Sequence, residues 1–209
     1  IGASVMTHSD NKGLILPPKI AKNKVVIIPI LKSGSEKILK GANEISKQLK
    51  SLNPILDSRE EYTPGWKFNE YELKGIPIRI EIGPKDLEKK QVVVVRRDNS
   101  GKKEVKITEL KKYLDKTLKE KQEDLYKKAN SFLQNKIVKV NNFNELKKQI
   151  EEKKLVLAPF CNEEKCEEKL KEKIPGVTTR CIPFNSKSNG NCINCNKKAV
   201  CEVYLAKSY

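Results

Sequence analysis

The chain contains one tryptophan, one methionine and one histidine, and aromatic residues make up only 6% of it. No run of about 18 apolar residues occurs, which excludes a membrane-spanning helix. The opening IGASVMTHSDNKG lacks a basic segment followed by an apolar one, so it does not read as a secretory signal; the chain is expected to be soluble and cytoplasmic. There is no glycine-rich phosphate loop, nucleophile motif or catalytic metal triad, which weighs against a small α/β enzyme with its own active site. Arginine is scarce as well. Of 43 basic residues only Arg59, Arg79, Arg96, Arg97 and Arg180 are arginines.

A net charge of +16 favours a polyanionic partner. The lysines run through nearly every segment, as they also would in a solvated surface or under a compositional bias. The arginines are more telling: four of the five fall in or near residues 57–75 and the strands that follow.

With 209 residues the chain is long enough for one large domain or two small ones. KVVIIPI, 24–30, is a continuous apolar run of strand length and reads as a strand buried on both faces. SEKILKGANEISKQLK places Ile38, Leu39, Ala42, Ile45 and Leu49 on one helical face, with Ser35 as N-cap. A short strand at 54–57 precedes Pro64-Gly65, and WKFNEYELKG predicts a two-turn helix closed by Gly75. IPIRIEI, 76–82, alternates and reads as a half-exposed strand with Arg79 and Glu81 pointing outward. QVVVVRR is a further buried strand, DNSGKKE a polar loop, and Thr108 to about Gln134 a long amphipathic helix. Strands alternating with helices indicate an α/β domain with a largely parallel sheet. A second unit follows: strand 136–140, helix 142–153, strand 155–160 and a cysteine-bearing tail. IGASVM at the start reads as an apolar strand without a partner.

All six cysteines lie in the last 49 residues. FCNEEKCEE holds a C-x4-C pair, Cys161 and Cys166, and GNCINCNKK a C-x2-C pair, Cys192 and Cys195. Two such pairs separated by a helix-sized insert suit a closed, structural tetrahedral zinc site, since four thiolates leave no position for water; four reduced buried thiols are the alternative. Cys181, in CIPF, is expected in a core, and Cys201 is a reserve ligand.

The scarce aromatics concentrate in one place: Tyr62, Trp66, Phe68 and Tyr71 lie within ten residues. Trp66 is expected to pack a short helix against the sheet. Rings beside paired charges also suit single-stranded RNA, whose bases stack on aromatic faces. A guanine offers N–H donors to a carboxylate and O6 and N7 acceptors to an arginine. Glu72 and Arg79 are placed for those two tasks, with Lys102 and Lys103 for phosphate or a base carbonyl.

TPGWKFNEYELKGIPIRIEIGPKD closely resembles the anticodon-binding domain of the archaeal and eukaryotic-like prolyl-tRNA synthetases. The pattern PFCNEEKCEE…TTRCIPF…CINC…AKSY is similar to their C-terminal zinc domain, and IGASVMTHSDNKGLILPP to the end of their class II catalytic domain. The resemblance implies a class IIa anticodon-binding α/β domain over 19–135, with a mixed, largely parallel five-stranded sheet. It also implies a smaller α+β zinc-binding domain over 136–209 and a catalytic-domain remnant over 1–18. It implies that Glu72, Arg79 and Lys103, with Lys102 able to substitute, read the two guanines of proline anticodons, and that Phe68 stacks on a loop base. Cys161, Cys166, Cys192 and Cys195 would bind zinc, with Cys181 a non-ligand, and the carboxylate of Tyr209 would approach the active site. The partner implied is tRNA(Pro). ATP, Mg2+ and proline belong to the full-length ligase, generally a homodimer; the family's motif 3 arginine falls before Ile1, so the 209 residues alone are expected not to make prolyl-adenylate. A free-standing, non-catalytic RNA-binding module with a structural zinc site is the alternative reading.

Overall fold

The structure, a computed structural model, describes residues 2–31 and 36–208. Two units are distinguished, residues 1–129 and 130–209. The described residues of IGASVM, Gly2–Met6, are not a strand. With no neighbouring strand to share a ladder, their backbone bonds close locally as helix α1 (Gly2–His8), in which Thr7 Oγ1 donates to the Ala3 carbonyl at 2.7 Å. The Ser35 cap and Tyr209 lie outside the described residues.

The first unit continues with β1 (Val25–Pro29), α2 (Glu36–Gln48), β2 (Ile55–Leu56), α3 (Pro64–Leu73), β3 (Ile78–Ile82), α4 (Pro84–Glu88), β4 (Gln91–Arg96) and β5 (Lys102–Lys106), then α5 (Leu110–Lys136), which runs past the unit boundary. The strand order is β2-β1-β3-β4-β5. β1 pairs parallel with β2 and β3, whereas β4 is antiparallel to β3 and β5, so the sheet is mixed with half its pairings parallel. β1 is buried on both faces, as its unbroken apolar run requires. On one face Ile27, Ile78, Ile80 and Val94 pack against Ala42 and Ile45 of α2 and Leu110 and Leu114 of α5. On the other, Val26 and Ile28 meet Tyr71 and, at the margin, Phe68 of α3.

Two expectations fail here for the same reason, that tertiary cover and backbone pairing override side-chain pattern. β3 is buried throughout, so Arg79 and Glu81 are turned away from the α2/α5 core but are 9% and 6% exposed. α3 covers their face. The lysines of DNSGKKE form edge strand β5 rather than loop, with only Val105 of its residues buried; charged side chains on an edge strand discourage pairing with another chain.

Lys121 of α5 is fully buried, donates to the Pro77 carbonyl at 3.0 Å and lies 3.7 Å from Asp98. Burial depresses its ammonium from 10.5 to about 8; Asp98 opposes the shift and the Arg96 and Arg97 charges add to it. Between those values the unfolded chain binds the extra proton, so the stability of the first unit should rise with pH from about 8 to 10.5, by roughly 3 kcal/mol at about 1.36 kcal/mol per pH unit. Denaturant unfolding followed by the emission of Trp66, which lies in this unit, should show that slope in the native chain and lose it in Lys121→Met. An equal slope in both would assign the effect elsewhere.

The second unit holds β6 (Ile137–Lys139), α6 (Phe143–Glu151), β7 (Leu155–Phe160), α7 (Glu164–Lys173), β8 (Val177–Cys181) and β9 (Cys201–Lys207). Its sheet has the order β6-β7-β9-β8, parallel only between β6 and β7. The core joins Val156, Ala158 and Leu205 of the sheet to Leu146 and Ile150 of α6 and Leu170 of α7. Cys181, expected in a core, is exposed at the end of edge strand β8. The apolar residues after it are turned outward, with Ile182 45% exposed and Phe184 wholly so.

Candidate nucleic-acid interface and metal centre

α3 positions the first site, and its ends are tightly specified. Thr63 is the N-cap, its side chain accepting from the Trp66 N–H at 3.3 Å, and Pro64 opens the helix where its missing N–H does no harm. At the other end Ile76 N–H bonds the Tyr71 carbonyl and Gly75 N–H the Glu72 carbonyl, the paired bonds of a Schellman termination. Gly75 takes φ +74 there, and a Cβ would lie 2.6 Å from Leu14 Cβ, so no other residue fits without displacement. Arg97, 6% exposed, ties the same turn down: its Nε donates to the Glu72 carbonyl at 2.8 Å and its terminal nitrogens to Asp10 at 2.9 and 2.6 Å. Those bonds hold the Asp10 carboxyl well below the usual carboxylate range.

The Schellman turn aims Glu72 at β3. Arg79 Nη1 donates to Glu72 Oε1 at 3.0 Å, while Nε and Nη2 both reach Glu81 Oε1 at 2.9 Å. Phe68, one turn before Glu72, lies over the guanidinium with its centroid 4.1 Å from Cζ. Nε and one N–H of Nη1 are thereby hydrogen-bonded, and Nη2 stands at ion-pair distance from Glu81, so each terminal nitrogen keeps at least one N–H without a hydrogen bond. Glu72 keeps its second oxygen, and its side chain is 21% exposed against 10% for Arg79. Phe68, expected to stack on a base, lies partly buried over Arg79. Glu81 is the member that sequence reasoning left out. The signal was present, because residues 79 and 81 of one strand share a face.

The two lysines separate. Cross-strand partners share a face, and the register runs Arg79, Val95, Lys102 on one side and Ile80, Val94, Lys103 on the other. Lys102 therefore stands on the Glu72–Arg79 face, its Nζ 3.7 Å from Glu81 Oε2 and its side chain 61% exposed. Lys103 turns to the α5 face, where its Nζ sits 5.1 Å over the Tyr113 ring. Of the four residues named for base contact, Glu72, Arg79 and Phe68 come together and Lys103 does not.

Trp66 does not pack against the sheet. It is 43% exposed and stacks on Tyr62, 37% exposed, with centroids 3.9 Å apart. The buried helix stripe is instead Lys67 and Tyr71. Lys67, 2% exposed, bonds the carbonyls of Asp57 and Arg59, and its ammonium lies 3.5 Å from Asp57. Arg59 grips Asp57 with two bonds, at 2.9 and 2.7 Å. Burial pushes the Asp57 carboxyl up, but these bonds and the Lys67 charge bring it down to about 2.

The second site lies in the second unit. Cys161 follows β7, Cys166 is on α7, and Cys192 and Cys195 sit on a tight loop closed by Cys192 N–H to Lys197 O, Asn196 N–H to Cys192 O and Ala199 N–H to Gly190 O. Asn196 takes φ +61 at the turn of that loop, a conformation asparagine tolerates. The four sulfurs lie within 4.8 Å of one another. Cys166–Cys192 and Cys161–Cys195 are each 3.7 Å apart. Sulfurs about 2.3 Å from a tetrahedral ion stand about 3.8 Å apart, so the group can hold a metal ion. Asn194 Nδ2 donates to the Cys166 carbonyl at 2.8 Å and reaches its sulfur at 3.4 Å. Burial pushes the Cys161 and Cys166 thiols up; at Cys192 backbone N–H groups of Cys195 and Asn194 overcome burial and bring the thiol down to about 7. Cys201 is buried on β9 outside the group, its sulfur directed at the Phe160 carbonyl.

Comparison with known proteins matches both units. Residues 24–117 fit the model of an anticodon binding domain, and residues 143–209 that of the prolyl-tRNA synthetase C-terminal domain. Proline–tRNA ligase 2 of Bacillus cereus is 44% identical over 211 residues, and proline–tRNA ligase of Alkaliphilus oremlandii 45% over 212; each match takes in all of this chain and 44% of the relative. The crystal structure of prolyl-tRNA synthetase from Cryptosporidium parvum, complexed with L-proline and AMP, superposes over the whole chain and 46% of its own, with a TM-score of 0.92 and 39% identity. This chain thus spans less than half the length of the relatives it matches. It belongs to the prolyl-tRNA synthetase family, of which it carries the anticodon-binding domain and the C-terminal domain.

Proposed function

We propose that this chain is the anticodon-recognising part of a proline–tRNA ligase and reads the two guanines of tRNA(Pro). The observation that carries the reading is the Arg79 guanidinium held at 3.0 Å by Glu72 and 2.9 Å by Glu81 with at least one N–H left over on each terminal nitrogen. Those N–H groups match guanine O6 and N7, and the second oxygen of Glu72 matches N1–H and N2–H. Lys102, on the same face, is favoured over Lys103 as the third contact. Phe68 backs the guanidinium and stiffens it.

Zinc is the metal that four thiolates at this spacing suit, held by Cys161, Cys166, Cys192 and Cys195 as a closed structural centre. It supplies no catalytic step. Residues 1–18 are taken as the end of a catalytic domain, 19–135 as the anticodon-binding domain and 136–209 as the zinc domain. Proline activation, with ATP and Mg2+, belongs to the full-length cytoplasmic enzyme, a homodimer to which the Tyr209 carboxylate contributes near the active site.

The test is binding of tRNA carrying the GG anticodon and of a UU-substituted counterpart. Glu72→Gln keeps the hydrogen bond from Arg79 but presents an amide in place of the carboxylate. It should weaken binding of the GG form by about 1–3 kcal/mol, one base contact, and leave the substituted form nearly unchanged. Equal weakening of both would reduce Glu72 to a stabiliser of the fold.

A further inference from the structure

The Tyr62–Trp66 pair is used neither by the core nor by the Glu72–Arg79 site. The interplanar angle of 14° makes it a parallel stack. The Arg59 guanidinium lies 4.8 Å from the Tyr62 centroid and 5.4 Å from that of Trp66. With the centroids 3.9 Å apart, those lengths put Arg59 beside the stack, against both rims, and not over an outer face. A guanidinium capping the stack would be much farther from the second ring than from the first.

The support beneath the pair is built. Arg59 bonds Asp57 and Glu70. Asp57 is 3% exposed, and buried Lys67 fixes the carbonyls at both 57 and 59. The stack therefore stands on a buried polar frame and presents its rings in a fixed orientation. Its geometry on α3 links it to the first site. At about 100° per residue, Trp66 and Glu70 flank the buried Lys67–Tyr71 stripe on one side, and Phe68 and Glu72 flank it on the other. One helix thus carries two aromatic positions, 66 and 68, one exposed and one committed to Arg79.

We propose that the Tyr62–Trp66 stack is a platform for a further nucleobase of the RNA, one outside the two guanines, that continues the stack on an outer ring face. The proposal rests on the reading that the Phe68–Glu72–Arg79 face binds the anticodon. A flat, unpaired base fits a parallel aromatic pair, and such stacking tolerates any base because every base has a π-face. The exposed neighbours Glu60 and Glu61 repel phosphate, so the nucleotide meets the platform base-first. Arg59, already paired to two carboxylates, orients the rings and is not a phosphate ligand.

Trp66 is the only tryptophan, so its emission reports this spot alone. The experiment titrates the full 209-residue chain with an anticodon stem-loop RNA, reading both Trp66 emission and the anisotropy of labelled RNA. Saturable quenching is expected with the GG hairpin. A series of hairpins, each abasic at one loop position, should contain one outside the two guanines that binds about tenfold more weakly and no longer quenches. Trp66→Ala should cost about tenfold in affinity for the intact hairpin and nothing further for that abasic hairpin, while Trp66→Phe keeps most of the affinity. The abasic series leaves the protein untouched, so it decides the matter even if Trp66→Ala folds poorly. If the hairpin binds with Glu72-dependent GG preference but no abasic position restores emission, the platform is not a base site and the proposal falls, whether the rings serve the fold or a protein partner. If the chain binds no hairpin at all, the anticodon reading fails first and the platform with it.

Discussion

Removing metal from the four-cysteine centre is expected to unfold the second unit and leave the first intact. Cys161, Cys166 and Cys192 are 7%, 3% and 3% exposed and belong to the core that unites β7, α6 and α7. Between Cys181 and Cys201 the chain forms no helix or strand longer than an isolated bridge, and a few backbone bonds close its cysteine loop. An ion held by the four thiols would cross-link β7, α7 and that loop and so replace the secondary structure this stretch lacks. Structural zinc in small peptides contributes about 10–16 kcal/mol at neutral pH, as much as or more than the roughly 5–15 kcal/mol by which a typical domain is stable at all. Purified protein should contain close to one zinc per chain, with the thiols unreactive. Chelation, or Cys166→Ser, should abolish the unfolding transition of residues 130–209 and expose that unit to protease. Trp66 emission, which reports the first unit, should stay as it was. A chelated protein with unchanged unfolding, or one purified with less than about a tenth of an equivalent of metal and reactive thiols, would show four packed thiols and no centre.

That centre was legible because spacing alone constrains it: two short loops each delivering two thiols need no knowledge of the surrounding sheet. β1 and the repeating apolar positions of α2 were legible for a similar reason, since their pattern is set by whichever core they face. The Glu72–Arg79 face was only half legible. IPIRIEI alternates whether its second face meets water or another helix, and nothing in those seven letters states that α3 lies over Arg79 and Glu81. The cover depends on Gly75 reversing the chain at the end of α3 and on Arg97 tying down the Glu72 carbonyl, contacts between distant residues. β5 was invisible because KKEVK holds one apolar residue, and its strand exists through the β4 ladder. Missing the strand hid the choice between Lys102 and Lys103, which rests wholly on which way an alternating backbone points each one. Trp66 was misjudged because size argues for burial, whereas here Lys67 and Tyr71 take the inward positions and the largest ring is left outside.

Arg79→Met is expected to destabilise the first unit by about 3–5 kcal/mol, the usual result of removing one partner from a buried ion pair. Arg79 is the shared cation of two carboxylates, and the Glu81 side chain is only 8% exposed. Without the guanidinium, Glu81 keeps Lys102 at 3.7 Å, an exposed ammonium too distant for a hydrogen bond and too well hydrated to compensate. Phe68 loses the cation it covers, and the approach of Glu72 to β3 is no longer held. A single loss of function in this variant would therefore be ambiguous, and the pair Arg79→Met, Glu81→Leu resolves it. Replacing both buried charges by apolar groups of similar size removes the unpaired carboxylate, and such exchanges are often neutral or stabilising. The double variant should recover most of the lost stability in denaturant unfolding followed by Trp66 emission. It should not recover the preference for GG over substituted anticodons, because the spare N–H groups of Arg79 are still missing. Stability and recognition then separate in one protein. A double variant that regained both would mean that Arg79 acts only by holding β3 and α3 together, and guanine would have to be read by other groups on this face.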